Sequence, residues 1–360
     1  MLICNVVAAR SDLTRIAPIV HELQRLDLQQ ILVYAALRDE GVQTSFEELD
    51  LSQPNALLEV EPGTHARQTA SLMTAFEEVC RRYQPDLVVV TGDTNAALAV
   101  TLVAAKLHSP IARIEAGLRS FDRAMPGEIN RVLADRLADL LFTSEPAGGE
   151  NLCKEGISPD KIYFVGSSLV DTLLVNLDAA VERAPWRDFN LPPSGYAILT
   201  LQHPSNVESR ETLAELLATL GSVSRLLPVI FPVHPPIRSR INEWDINLPP
   251  SLRLVEPLPY RSFLGLVARA KCVLTDSGAV QQETAVLDIP CLTLRDSTEV
   301  PVTVTSGTNR LVGADPHKIE ESIQMIVNGS WKVADRPPLW DGLASTRIAN
   351  VIADWAAARR

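Results

Sequence analysis

The chain has 360 residues, enough for two domains of ordinary size, and its balance of 46% hydrophobic and 21% charged residues is that of a globular protein rather than a disordered one. A formal net charge of −11 argues against a nucleic-acid partner, while local arginines could still hold an anionic small molecule. No apolar run is long enough to span a bilayer, and the apolar start at Met1 lacks a basic leader, so the sequence predicts a cytoplasmic protein with no membrane partner. The five cysteines (Cys4, Cys80, Cys153, Cys272, Cys291) show no CxxC spacing. Three lie in apolar runs and read as buried thiols of a reducing compartment.

In chain order, short apolar runs alternate with amphipathic ones. Strands are predicted over 2–7, 31–35, 87–91, 111–115, 140–143 and 162–165, and helices over 16–26, 70–82, 96–107 and 129–137. The alternation implies a parallel sheet covered by helices on both faces. The proline-rich stretch 184–195 reads as a domain boundary. Strands then resume at 196–201, 229–233, 252–255, 272–274 and 291–294, with a last helix over 346–360. The fold class is therefore α/β, in two similar halves. Ligands of such sheets bind beyond the carboxyl ends of the strands, which predicts a cleft lined by strand-end loops.

Polar residues that follow these strands form a short set. Arg10 follows the first strand and Arg15 opens the next helix. Asp93 lies in Val90-Thr-Gly-Asp-Thr-Asn95, Glu115 and Arg119 in Glu115-Ala-Gly-Leu-Arg119, and Glu128 and Arg131 in Pro126-Gly-Glu-Ile-Asn-Arg131. Gln202 and His203 follow the first strand of the second half, and His234 lies in Phe231-Pro-Val-His-Pro235. Carboxylates beside arginines allow one to be held ionised as a base while another stays an acid. At Leu274-Thr-Asp-Ser-Gly278 an apolar strand must turn into a helix that carries Glu283. The N–H groups of such a helix start favour a phosphate, and the carboxylate could accept sugar hydroxyls. There is no GxxxxGK[ST], no GxGxxG and no metal-ligand spacing, so neither a metal nor a cofactor is predicted.

Taken in order, Asp93-Thr94, Glu115-Ala-Gly-Leu-Arg119, Asn130-Arg131, Pro232-Val-His-Pro235, Asp276-Ser-Gly278, Glu283, Leu294-Arg-Asp296 with Thr298-Glu299, and Thr308-Asn-Arg-Leu-Val-Gly313 resemble the non-hydrolysing UDP-N-acetylglucosamine 2-epimerases. The resemblance implies a GT-B fold with domains over 1–168 and 169–345, UDP held mainly by the second, and the last helix packed back on the first. It implies a UDP-sugar substrate, a homodimer and a place in cell-surface polysaccharide biosynthesis. It also implies a reaction in which a base removes the C2 proton as the C1–O bond to UDP breaks, and UDP then adds back after re-protonation from the other face. Asp93 and Glu115 match catalytic carboxylates of the family and Arg10 a diphosphate-side arginine. Ser277, Gly278 and Glu283 match diphosphate and ribose contacts, and Arg295 falls on another site position.

Departures cluster at the same site. The family's Gly-Thr-Arg-Pro-Glu is Ala8-Ala-Arg-Ser-Asp12, its following lysine is Arg15, and the first glutamate of its Glu-Glu pair is Gly127. Its His-Arg pair is Gln202-His203, with the histidine falling on Gln202 unless the register shifts by one. Its second glycine after Asp-Ser is Ala279, the first glutamate after the glutamine is Gln282, and the arginine of Glu-Arg-Pro is Val300. A Gln-His pair associated with an allosteric UDP-sugar is Ala36-Leu37, so that allosteric site is expected to be absent or altered. The expected catalytic set is Asp93, Glu115, Glu128 and His203, with Arg10, Arg15, Arg131, Gln202, His234, Ser277, Gly278, Glu283, Arg295 and Glu299 holding the UDP-sugar. Two other readings stay open: a related UDP-sugar enzyme, hydrolysing or acting on another sugar, and a UDP-sugar-binding protein without catalysis.

Overall fold

The computed structural model describes residues 1–36, 42–60, 62–332 and 335–359. The chain forms two compact units, Met1–Thr172 with Pro338–Arg360, and Leu173–Pro337. Among the described residues no helix is long and apolar enough to cross a membrane.

The first unit holds seven strands, β1 (Leu2–Val7), β2 (Gln29–Ala36), β3 (Ala56–Glu59), β4 (Leu87–Val90), β5 (Ile111–Ile114), β6 (Leu140–Thr143) and β7 (Ile162–Phe164). They run parallel in the order β3-β2-β1-β4-β5-β6-β7. The second unit repeats the plan with β8 (Ala197–Thr200), β9 (Val229–Pro232), β10 (Leu252–Val255), β11 (Cys272–Thr275), β12 (Cys291–Thr293) and β13 (Asn309–Leu311), in the order β10-β9-β8-β11-β12-β13. Both sheets are Rossmann-like. The central strands are runs such as Leu87-Val-Val-Val90, buried on both faces as parallel strands under helices must be. In each sheet the order reverses beside the first strand, between β1 and β4 and between β8 and β11. Side chains that follow those strands therefore meet at a switch point.

Two edge strands escape a reading by apolar runs. In β3 only Leu58 is buried, and β13 is the three residues Asn309-Arg-Leu311. An edge strand packs on fewer neighbours and needs less apolar surface. The stretch 184–195 is not a boundary. Pro185–Phe189 form a 3-10 turn, and Ala184, Trp186 and Leu191 are buried in the second unit's core with Tyr196 and Leu266. The chain passes between units inside the helix Ser168–Glu182, where apolar residues continue without a break, so composition carried no signal of it.

The helix Ala344–Ala357 belongs to the first unit and packs against the helix Leu13–Arg25. Leu343 offers no capping side chain, and Asp171 supplies the cap from elsewhere. Its carboxylate accepts from Ala344 N at 3.2 Å, Ser345 N at 2.6 Å and Ser345 Oγ at 2.5 Å. Trp340 Nε1 donates to Ser144 O at 2.8 Å just ahead of this helix.

Candidate active site

At the switch point of the first unit the structure gathers a set of carboxylates and guanidiniums. Glu115 directly follows β5 with φ 54°, a left-handed turn that reverses the chain and brings the carboxylate to Arg15. Arg15 Nε lies 2.6 Å from Glu115 Oε2, and both side chains are about nine-tenths buried. Arg15 Nη1 donates to Ser11 O at 3.1 Å and faces Asp12 Oδ1 at 3.8 Å. Burial works against the Arg15 charge, and the attraction of Glu115 and Asp12 more than offsets it, so the guanidinium stays charged. Asp12 was not among the expected site residues. An aspartate ahead of a helix reads as a cap.

The second pair is Asp93 with Arg131. Asp93 follows β4, its side chain is 45% exposed, and Arg131 Nη1 pairs with its Oδ2. Asn130 Nδ2 holds the Asp93 carbonyl at 2.8 Å. Glu128, expected among the acid–base groups, turns inward. It accepts from Arg131 Nη2 at 2.8 Å and from Ser120 N, Ser120 Oγ and Phe121 N at 3.0 Å each. Burial pushes its carboxyl up, but the Arg131 and backbone hydrogen bonds outweigh that, and the net shift is downward. These partners hold Glu128 ionised and make it the support of Arg131. Gly127 lets the first turn of the helix Pro126–Leu137 pass close to Asp93, since a Cβ there would sit 2.9 Å from Asp93 Oδ2.

Beneath these pairs lies a buried frame. Arg113 reaches the carbonyls of Val90 and Gly92 and pairs with Asp135 at 3.3 Å. Asp135 accepts from Gly117 N at 2.9 Å and Arg119 Nη1 at 2.7 Å, and Arg119 forks onto both oxygens of Glu155 at 2.8 Å. Arg119 thus faces inward and fixes the loop that follows Glu115. Gly117, at φ 78°, passes so close to Gly148 that any side chain would collide with its carbonyl.

In the second unit Asp276, directly after β11, organises the loop after β8. It accepts from Gln202 N at 2.9 and 3.0 Å, His203 N at 2.9 Å and Asn206 Nδ2 at 3.0 Å. Burial raises its carboxyl, and these donors act in the opposite sense. His203 caps the short helix Pro204–Val207, its Nδ1 2.7 Å from Ser205 Oγ, while Gln202 is exposed. His234 starts the helix Pro235–Glu243 and is exposed. Ser277 caps the helix Gly278–Leu287 with backbone alone. Arg295 pairs with Glu299 at 2.8 Å, and Glu299 lies so close to Gly278 that a Cβ there would collide with it. Glu283 is buried on the same helix, beside Gln282. In the first unit Arg10 Nε donates to Ser45 Oγ at 2.9 Å. Leu37 lies outside the described residues. Among those residues no group of His, Cys, Asp and Glu is arranged to hold a metal ion.

The family model for UDP-N-acetylglucosamine 2-epimerase matches residues 21–353. A UDP-N-acetylglucosamine 2-epimerase of Methanocaldococcus jannaschii is 35% identical, with 98% of this chain and 99% of that protein covered. The crystal structure of the M. jannaschii UDP-GlcNAc 2-epimerase in complex with UDP-GlcNAc and UDP superposes with a TM-score of 0.91, at 35% identity and with 98% of this chain and 99% of that one covered. A UDP-2,3-diacetamido-2,3-dideoxy-D-glucuronate 2-epimerase of Pseudomonas aeruginosa is 34% identical, with 98% and 99% covered. With a match of this extent the chain belongs to the UDP-N-acetylglucosamine 2-epimerase family.

Proposed function

We propose that this protein interconverts UDP-GlcNAc and UDP-ManNAc by eliminating and re-adding UDP. The observation that carries the reading, beside family membership, is the Glu115 carboxylate held on Arg15 at 2.6 Å at the end of β5. A buried carboxylate held against a guanidinium is fixed in position to take the C2 proton. As Glu115 takes that proton, the C1–O bond breaks, its electron pair leaves with UDP, and a C1–C2 double bond forms. In the return step UDP adds at C1 while C2 is protonated on the opposite face. We assign that second proton to Asp93, the more exposed carboxylate, positioned by Arg131 and loaded with a proton from solvent, while Glu115 gives its own proton up to solvent. Glu128 acts through Arg131, whose Nη2 and Nε donate to its Oε2 at 2.8 and 3.2 Å. In the second unit we assign the diphosphate to the helix start at Ser277–Gly278 with Arg295, the ribose to Glu283, and further polar contacts to Gln202, His203, His234 and Glu299. Arg10 adds positive charge for the departing diphosphate.

The test is incubation with UDP-GlcNAc in D2O followed by NMR. Deuterium at C2 in a GlcNAc/ManNAc mixture is the expected result. Glu115→Gln should lower exchange at least about 100-fold. Full exchange in that variant would remove Glu115 from the role of base, and free ManNAc with UDP would mean hydrolysis instead.

A second reading concerns the sugar and not the reaction. The P. aeruginosa relative is almost as similar as the M. jannaschii one, and Gly127 removes a carboxylate side chain beside Asp93. A diacetamido-uronate would meet less negative charge there. Comparing kcat/KM for the two UDP-sugars decides it.

We also place the protein in the cytoplasm, as a homodimer that supplies an activated amino sugar for cell-surface polysaccharide. Free buried thiols at Cys4, Cys80, Cys272 and Cys291 suit a reducing compartment. The dimer is supported by an apolar stripe, Ile129, Val132, Leu133 and Leu137, on the outer face of the helix Pro126–Leu137. The family resemblance supports the pathway.

A further inference from the structure

Asp12 is a buried carboxylate to which the reaction above gives no task. It ends the 3-10 turn Arg10–Asp12 behind β1 and is 3% exposed. It stands where a helix cap would stand, yet its side chain makes no capping hydrogen bond. Its Oδ1 faces Arg15 Nη1 at 3.8 Å, and its Oδ2 has no hydrogen-bond partner. Gly92 makes room for that oxygen: at φ 79°, a Cβ there would lie 2.5 Å from it. The charged groups that face Asp12 are Arg15 on the following helix, Asp93 after β4, Arg113 on β5 and Glu115 directly after it. Burial is the largest influence, opposed by Arg15, and the carboxyl is raised to about 6.

Arg15 links this carboxylate to the chemistry. Its Nε is committed to Glu115, while Nη1, which donates to Ser11 O, lies 3.8 Å from Asp12 Oδ1. A guanidinium presents separate donors to two acceptors in a way that a lysine ammonium does not. Once Glu115 has taken a proton the ion pair has lost its anion, and a guanidinium only 12% exposed has Asp12 as its nearest remaining counter-charge.

We infer that Asp12 is a positioning residue that becomes the main counter-ion of Arg15 while Glu115 carries the substrate proton, and releases Arg15 when Glu115 gives that proton up. This rests on the reading of Glu115 as the base. Only the ionised form of Asp12 can act in this way. Turnover should therefore fall as the pH drops through about 6, where Asp12 gains a proton from solvent.

The experiment measures kcat and KM for UDP-GlcNAc, with C2 deuterium exchange, between about pH 5 and pH 9 in the wild type, Asp12→Asn and Asp12→Glu. In the wild type kcat should show an acidic limb near pH 6. At the alkaline end Asp12→Asn should lower kcat about tenfold or more, keep KM within about twofold, and lose that limb. Asp12→Glu should restore it. An unchanged pH profile in Asp12→Asn overturns the inference alone, as does an Asp12→Glu variant that behaves like Asp12→Asn. A wild type without C2 exchange overturns the base assignment and this inference together. Should Asp12→Asn not fold, carbon-13 NMR of aspartate-labelled wild type, with Asp12→Glu to assign the missing resonance, reads the same quantity. A side chain that titrates near the ordinary 3.8 overturns the inference.

Discussion

At Asp12, function and stability pull in opposite directions. A carboxyl raised from 3.8 to about 6 is protonated in the folded chain and ionised in the unfolded one across that window. The folded state then binds more protons, so stability falls as the pH rises through the window and stays lowered above it. Asp12→Asn removes a buried carboxylate with one unsatisfied oxygen. Its Tm should exceed that of the wild type at pH 8 by about 2 °C or more, with no gain at pH 4. Scanning calorimetry at the two pH values checks this, and a Tm lowered at pH 8 would show that ionised Asp12 stabilises the fold. Nothing in the sequence announces such a role. Only the folded chain, with Gly92 and Arg15 brought against its carboxylate and no capping hydrogen bond made, singles Asp12 out.

Among the elements, the helix Pro126–Leu137 shows where periodicity stops being informative. Its apolar residues recur at helical spacing and announce a helix. The usual inference, that this stripe faces the core, is reversed here. Glu128, Asn130, Arg131 and Asp135 are the buried side, while Ile129, Val132, Leu133 and Leu137 are exposed. The inner face is polar because its charges are paired with Asp93, Ser120, Arg113 and Arg119, and a paired charge can be buried where an unpaired one cannot. A second element-scale result is the cap that Asp171 lends to the helix Ala344–Ala357 from a distant part of the chain. Asp171→Ala would leave the N–H groups of Ala344 and Ser345 without that acceptor. It should cost about 1–3 kcal/mol in urea unfolding and expose the last helix to limited proteolysis before the rest of the chain opens. Cleavage that begins elsewhere, with the last helix retained, would show that Asp171 is not what holds it.

For the whole molecule, the outward stripe on that helix is the feature to test. A homodimer seated on it should break up when Leu133→Glu puts a charge in a dry interface. Sedimentation velocity should then show the wild type as a dimer and the variant as a folded monomer. A dimer that survives Leu133→Glu places the interface on another face.

Sequence alone determined the fold class, most of the strands, the family, the strand-end positions of Asp93, Glu115 and Ser277, and the place of Glu283 on the helix that follows. Each of these is written in local pattern: an apolar run, a turn residue, a motif at fixed spacing. Tertiary structure decided what those residues do to one another. Glu128 became a buried support because Ser120, Phe121 and Arg131 converge on it. Arg119 became part of the frame because Asp135 and Glu155 lie beneath its loop. Asp276 took charge of the Gln202–His203 loop from 73 and 74 residues away in sequence. The physical reason is the same in each case. Charge state and hydrogen-bond partner depend on burial and on neighbours brought close by folding, and neither is encoded within the few residues that make a motif.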